Sequence, residues 1–336
     1  MSRKVVKIGF IGAGSIGSLF GGFLASIDSD ENPLEIIFFG RRNHIDAINK
    51  EGLRLTTGGK NSILKNIKGY ESANDFTESL EIGADYTFDF LFLTTKAYDT
   101  ESSMVQFKDL IESSNWFIIL QNGVGNEALV KEYCNEDRIL RIVTSHGALL
   151  EGYGHVRHTG VGFTKLGFAY LKPDNNTINI EDYGGAEESL RLLKDLLSAA
   201  GLQTEIVDDI ITCSWEKVFV NIGINAIGAL TGLTNGQLLE KNSLREIMGK
   251  AVEEALEVAH AKKIDLSNRD YVELMYSVAK KTYNNKNSML QDVLRGKPTE
   301  IDFINGRIVE FGKKLGIAVV TNELLTALIK GLESSF

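Results

Sequence analysis

Lys217, Asn221 and Asn225 stand four residues apart inside the otherwise apolar run 218–230. At 3.6 residues per turn, side chains four apart lie one above another, so an ammonium and two amides share one helical stripe. Asn costs roughly half a kcal/mol or more against Ala inside a helix, and buried amides and ammonium groups need partners. Such a stripe suits a bound polar ligand. The bland alternative is a polar face turned to water. Phe219, Val220, Ile222, Ile224, Ile227 and Leu230 cover most of the other directions, which leaves that alternative little room.

A second motif with chemical meaning is Gly12-Ala13-Gly14-Ser15-Ile16-Gly17. It follows the apolar run 5–11 and precedes the helix-compatible stretch 18–26, the context a dinucleotide fingerprint requires. Gly12 permits a tight turn, Gly14 lets the backbone approach a pyrophosphate, and Gly17 allows close helix packing. The helix N-terminus adds amide donors for phosphate. A plain structural turn is the alternative.

The end of the next strand separates NAD from NADP, because an acid there bonds the ribose 2′-OH and a base suits a 2′-phosphate. Here it reads Phe38-Phe39-Gly40-Arg41-Arg42, without an acid, and Glu35 opens the strand far from the ribose. NADPH/NADP+ is therefore the expected cofactor, with Arg41 as its main 2′-phosphate ligand. A solvated basic turn is the competing reading. Thr94-Thr95-Lys96 and Gln121-Asn122-Gly123-Val124-Gly125 each follow the end of an apolar strand, where open α/β sheets bind ligands.

These motifs need elements to hold them. Apolar runs at 36–39, 88–94, 116–120 and 139–144 read as buried parallel strands, with helical segments such as 100–111 between some of them. Segments 155–159 and 164–168 are expected to extend the same sheet, followed by a helix at 187–200 and a strand at 203–207. From residue 210 the period is helical: 210–230, 243–262, 269–284, 300–315 and 323–332. The expected fold is α/β, a Rossmann-type dinucleotide-binding domain over 1–208 followed by an all-helical substrate and catalytic domain over 209–336. Segments 28–33 and 173–185 read as surface insertions.

A chain of 336 residues suits two domains. A net charge of −9 argues against a surface that coats polyanions, so nucleic acid is not expected as a partner. Neither Cys134 nor Cys213 has the spacing of a disulfide framework or a thiolate zinc site, and a reducing compartment fits. With no signal peptide and no uninterrupted run of about 18 apolar residues, the expectation is cytoplasmic with no membrane. Five histidines lack metal-ligand spacing, so no metal is expected, and His146 is read as structural.

Taken together, the motifs resemble the ketopantoate reductase (2-dehydropantoate 2-reductase) family over essentially the whole chain. The glycine turn, Thr95-Lys96-Ala97, Gln121-Asn122-Gly123, Ser145-His146-Gly147-Ala148, Trp215-Glu216-Lys217, the segment 221–225 and Thr234-Asn235-Gly236 fall in the family's order. So do Ser288-Met289-Leu290-Gln291-Asp292 and the block Glu300-Ile301-Asp302-Phe303-Ile304-Asn305-Gly306.

The resemblance implies NADPH-dependent reduction of 2-dehydropantoate to (R)-pantoate, a step toward pantothenate and coenzyme A. It implies Lys217 as general acid, supported by Glu300. It assigns Asn221, Asn225, Asn235 and Ser288 to the substrate, Lys96 and Asn122 to the nicotinamide side, and Arg41 to the 2′-phosphate. Hydride arriving at a ketone carbon leaves an alkoxide-like oxygen, so a protonated donor within about 3 Å is needed. Burial would lower the lysine pKa and a carboxylate would raise it again. Read without the resemblance, Glu300 is a helix N-terminal acid and Ser288 a helix cap.

Ala226 and Val320 stand where many members have proline, and Arg42 often has a glycine counterpart. These departures leave a reductase of a different 2-oxo acid as an alternative, with a non-catalytic NADP(H)-sensing protein as a rival of another class. The partner is expected to be a small keto acid, and the chain a monomer or homodimer.

Overall fold

The computed structural model describes residues 5–27, 33–81, 86–170 and 185–336. Most of the two expected insertions, 28–32 and 173–184, lies outside them. The chain packs as two units, Met1–Gln121 with Asn126–Ile210, and Asn122–Gly125 with Ile211–Phe336.

In the first unit, β1 (Val6–Ile11), α1 (Ser15–Ala25), β2 (Leu34–Phe39) and α2 (Arg42–Glu51) lead into β3 (Leu53–Thr57), β4 (Lys60–Leu64), β5 (Ile67–Tyr70) and α3 (Ala73–Glu78). Then come β6 (Phe90–Leu93), α4 (Thr100–Gln106), α5 (Lys108–Ser113), β7 (Trp116–Ile119) and α6 (Asn126–Val130). The unit closes with β8 (Ile139–Thr144), β9 (Gly147–Gly152), β10 (His155–Gly160), β11 (Thr164–Phe168), α7 (Ala186–Ala199) and β12 (Thr204–Ile206).

Eight strands form one sheet in the order β12-β11-β8-β7-β6-β1-β2-β5. Its pairs are parallel except β8 with β11. Helices on both faces make its strands continuously apolar, and Phe10, Phe38, Phe90 and Phe92 are fully buried. β1 lies inside the sheet between β6 and β2, and the glycine turn that follows it opens at the carboxyl ends of these parallel strands.

Two expectations for this unit need correction. Segment 155–159 does not extend this sheet: β10 joins a separate four-stranded sheet, β4-β3-β10-β9. Its exposure alternates, with Val156 buried and Arg157 exposed, as a one-sided sheet requires. This smaller sheet buries Leu53, Leu55, Leu64 and Val156 in one apolar cluster with α1. The run 100–111 is two helices, bent at Phe107, whose ring packs edge-on against Phe39 at 4.9 Å.

Beneath the same small sheet lies a histidine pair. Gly162 N donates to His146 Nδ1 at 3.1 Å, so the 3.0 Å contact from His158 Nε2 must also be a donation to that nitrogen. His158 Nδ1 is then the acceptor for Thr57 Oγ1 at 3.2 Å. His146 Nε2 is buried without a hydrogen-bond partner among the described residues. Burial, then the His158 charge, pushes the His146 pKa down to about 4.

The second unit is helical: α8 (Ile210–Thr231), α9 (Asn235–Leu239), α10 (Asn242–Ala261), α11 (Tyr271–Lys281), α12 (Ser288–Val293), α13 (Asn305–Leu315) and α14 (Val320–Glu333). Phe219, Ile222, Met248, Val252, Met275, Ile308 and Ile329 form its core. The expected helix 300–315 is interrupted, because a 3₁₀ turn at Ile301–Phe303 ends at Ile304 (φ −112°, ψ −93°) before α13 begins. The break lets buried Asn305 donate to Ile222 O at 3.4 Å and Asn322 Oδ1 at 3.0 Å. Glu254 of α10 accepts from Thr321 N and Asn322 N at 2.8 and 3.0 Å, satisfying two of the first donors of α14. Among the described residues no helix is long and apolar enough to cross a membrane.

Candidate active site

Along α8 the polar stripe grades from half-buried Lys217 and Asn221 to Asn225, 3% exposed. Lys217 Nζ donates to Asn122 Oδ1 at 2.6 Å, and Asn122 Nδ2 donates to Glu300 Oε2 at 3.2 Å. The two charges fix the amide's orientation, since only its oxygen can meet an ammonium and only its nitrogen a carboxylate.

Backbone conformation explains how a residue following β7 reaches this helix. Gly123 and Gly125 adopt φ of +88° and +84°, the region that favours glycine. A side chain at Gly123 would collide with the carbonyl of Phe303, so the loop lies directly on the turn next to Glu300. Glu300 itself is 5% exposed and makes no capping bond to the turn it precedes. Glu300 thus stands at the N-terminus of a short turn, where an acid is expected from sequence, and its carboxylate also accepts from Asn122.

Further along the stripe, Asn225 Nδ2 is buried with no hydrogen-bond partner among the described residues. Asn235 Nδ2 donates to Thr282 Oγ1 at 2.9 Å, while its buried Oδ1 has no such partner. Unsatisfied buried amide atoms of this kind are costly unless a ligand completes them. Ala226 is fully buried inside α8 and leaves the helix unbroken. Ser288 is exposed and occupies the first position of α12; the cap is Asn287, whose side chain accepts from Leu290 N at 2.9 Å. No hydrogen bond among the described residues ties Ser288 to Lys217, Asn122 or Glu300.

On the dinucleotide side, Gly12 has φ +100° and a Cβ there would stand 2.6 Å from Thr95 N. Thr94 Oγ1 donates to Gly12 O at 2.6 Å, locking the turn to the end of β6. A Cβ on Gly17 would clash with Gly12 O, so its absence brings α1 against the turn. By contrast a Cβ on Gly14 would meet nothing closer than 4.0 Å, so what Gly14 keeps clear is space outside the protein's own packing. Ala13 N bonds Phe39 O at 2.8 Å, and Ser15 and Ile16 open α1. This arrangement fits a bound pyrophosphate.

Arg41 stands exposed at the N-cap of α2. Arg42 is engaged elsewhere, its Nε donating to Glu71 Oε1 at 2.6 Å. Glu35 lies at the opposite end of β2, 3.7 Å from Lys68. Lys96 precedes the Ala97–Asp99 turn and is half-buried. Gln121, in sequence merely part of a loop motif, is buried and donates to Thr95 O at 3.0 Å and Thr100 Oγ1 at 3.0 Å, bracing the two edge loops. No periodicity marks such a brace.

A glycine turn after an inner parallel strand, and a helical unit in which a lysine is joined through an asparagine to a glutamate, define a dinucleotide-dependent oxidoreductase. Residues 8–169 match the family described as "Ketopantoate reductase PanE/ApbA", and residues 209–333 match "Ketopantoate reductase PanE/ApbA C terminal". The chain belongs to the ketopantoate reductase family. It is 37% identical over 331 residues to the 2-dehydropantoate 2-reductase of Pyrococcus horikoshii, covering 98% of each chain. Identity to the enzyme of the same name from Archaeoglobus fulgidus is 34% over 331 residues, 98% of this chain and 99% of that one.

Among solved structures it is similar to a PanE/ApbA family ketopantoate reductase from Ralstonia eutropha JMP134, with a TM-score of 0.82 and 28% identity over 98% of this chain and 99% of the other. A ternary structure of D-mandelate dehydrogenase with NADH and anilino(oxo)acetate is similar too, with a TM-score of 0.80 and 26% identity over 98% and 99%.

Proposed function

We propose that this chain reduces 2-dehydropantoate to (R)-pantoate with NADPH, a step toward pantothenate and coenzyme A. The observation that carries the reading is the chain of hydrogen bonds from Lys217 through Asn122 to Glu300. When bound, the nicotinamide supplies the hydride. Gly12, Ala13, Gly14, Ser15, Ile16 and Gly17 would hold the pyrophosphate, Arg41 the 2′-phosphate, and Lys96 and Asn122 the nicotinamide side.

Lys217 is the group that meets the oxygen of the reacting carbonyl, stabilises the negative charge developing there and delivers its proton. Asn122 aims the ammonium, and Glu300 holds that amide in place. Asn221, Asn225, Asn235 and Ser288 would take the substrate's hydroxyl and carboxylate, with Asn122 alongside, and the unmatched Asn225 Nδ2 and Asn235 Oδ1 supply one donor and one acceptor for that purpose. In this reading 1–208 is the cofactor domain, 209–336 the substrate domain, and the setting is the cytoplasm.

A second reading is supported by the D-mandelate dehydrogenase likeness and by Ala226, a departure beside the stripe: a related reductase acting on another 2-oxo acid. Turnover of a panel of 2-oxo acids with NADPH and with NADH separates them. The leading reading expects the highest kcat/KM with 2-dehydropantoate and NADPH. A higher value with another keto acid would overturn the substrate, and one with NADH the cofactor.

A further inference from the structure

α14 buries one side through Asn322, Leu325 and Ile329 and presents a second apolar side to solvent. On that outer side Val320, Leu324 and Leu328 recur every four residues and are 67%, 57% and 47% exposed. Ala327 and Gly331 lie beside them, also exposed. An exposed helical face normally carries polar residues, and a helix apolar on two sides expects a second partner.

The few charges on this side identify the partner. Glu323 and Lys330 flank the stripe seven residues, or about two turns, apart. They have opposite sign and lie symmetrically about the interval between Thr326 and Ala327. If a second α14 ran antiparallel across a two-fold axis at that interval, each Glu323 would face the second copy's Lys330, and each Leu324 would lie near the second copy's Leu328. Small Ala327 at the crossing would allow close approach of the backbones.

Within the chain Glu323 pairs with Lys313 at 2.9 Å and Lys330 with Asp302 at 2.7 Å. The antiparallel arrangement would therefore line up Lys313, Glu323, Lys330 and Asp302 in alternating sign across the seam. Such self-complementarity is what an isologous interface requires. A parallel pair would instead set Glu323 against Glu323.

We propose that the outer face of α14 is a homodimer interface, with two copies packed antiparallel about Ala327. The proposal does not depend on which keto acid is reduced. The test is sedimentation velocity on the full chain across low to high micromolar concentration, with turnover and circular dichroism melts as controls for folding. Wild type should sediment as a dimer, and Leu324→Glu with Leu328→Glu as a folded monomer. Glu323→Lys and Lys330→Glu should each weaken self-association by about tenfold or more, while an equimolar mixture of the two single variants, and the double variant, should recover it. A monomeric wild type, a dimer indifferent to both leucine changes, or charge variants that do not rescue each other would overturn the proposal.

Discussion

Lys217 and Glu300 are linked through one amide: Asn122 accepts from the ammonium at 2.6 Å and donates to a carboxylate oxygen at 3.2 Å. The direction of the ammonium is thereby fixed. Replacing Lys217 by Ala should lower kcat by about 10²- to 10⁴-fold, the usual worth of a positioned acid. Asn122→Ala should cost about 10- to 100-fold, equivalent to 1–3 kcal/mol for a buried partner lost. Steady-state NADPH oxidation with 2-dehydropantoate measures both, and rates within twofold of wild type would sink the assignment.

Asn225 offers a sharper contrast between function and stability. Its buried Nδ2 lacks a partner among the described residues, so Asn225→Leu should leave the melting temperature unchanged or raise it, while the KM for substrate rises by about tenfold. A lower melting temperature with unchanged KM would mean that the amide serves the fold.

The two adjacent arginines should behave differently. Arg42 is held by Glu71 and Arg41 is not, so Arg41→Ala should raise the KM for NADPH by about tenfold and leave that for NADH nearly unchanged. Arg42→Ala should have the smaller effect. Equal losses with the two cofactors would remove Arg41 from the 2′-phosphate.

Gly12→Ala places a side chain 2.6 Å from Thr95 N at a φ of +100°, so both the fold and dinucleotide binding should suffer. Fluorescence titration with NADPH and a thermal melt report the two. Retention of wild-type affinity would show that the turn can shift.

The histidine pair sets an acid limit on stability. A folded His146 pKa of about 4 lies below its ordinary value of 6.5, so the unfolded chain binds a proton that the folded chain refuses. Stability is therefore undiminished above about pH 6.5, falls as the pH drops toward 4, and changes no further from this group below that. The loss should be of order 2 kcal/mol, seen in denaturant titrations at pH 7.5 and 4.5, and smaller in His146→Gln. A His146→Gln curve parallel to wild type would assign the acid sensitivity elsewhere.

Much of the fold is legible because its strongest signals are periodic. Apolar runs buried on both faces gave the strands around Phe10, Phe38 and Phe92, and the 3.6-residue period gave the helices after residue 210. What escaped depends on contacts between distant segments. β10 looked like another strand of the main sheet, yet its alternating exposure belongs to a sheet assembled with β3, about a hundred residues earlier. Asn287, not Ser288, caps α12, a choice between neighbours that only backbone geometry decides. Lys217, Asn122 and Glu300 were each legible by type, but their union depends on a loop turned by Gly123 and Gly125 with positive φ.

That loop also bears on how the protein could be rebuilt. Four residues, Asn122–Gly125, belong by packing to the helical unit although they lie in sequence amid the sheet unit. A chimera joined at the linear boundary near residue 208, taking its first part from one relative and its second from another, would import a foreign asparagine loop beneath Lys217. Matching the loop to the helical half, rather than to the strands around it, is the rule this topology sets for exchanging substrate preferences between relatives.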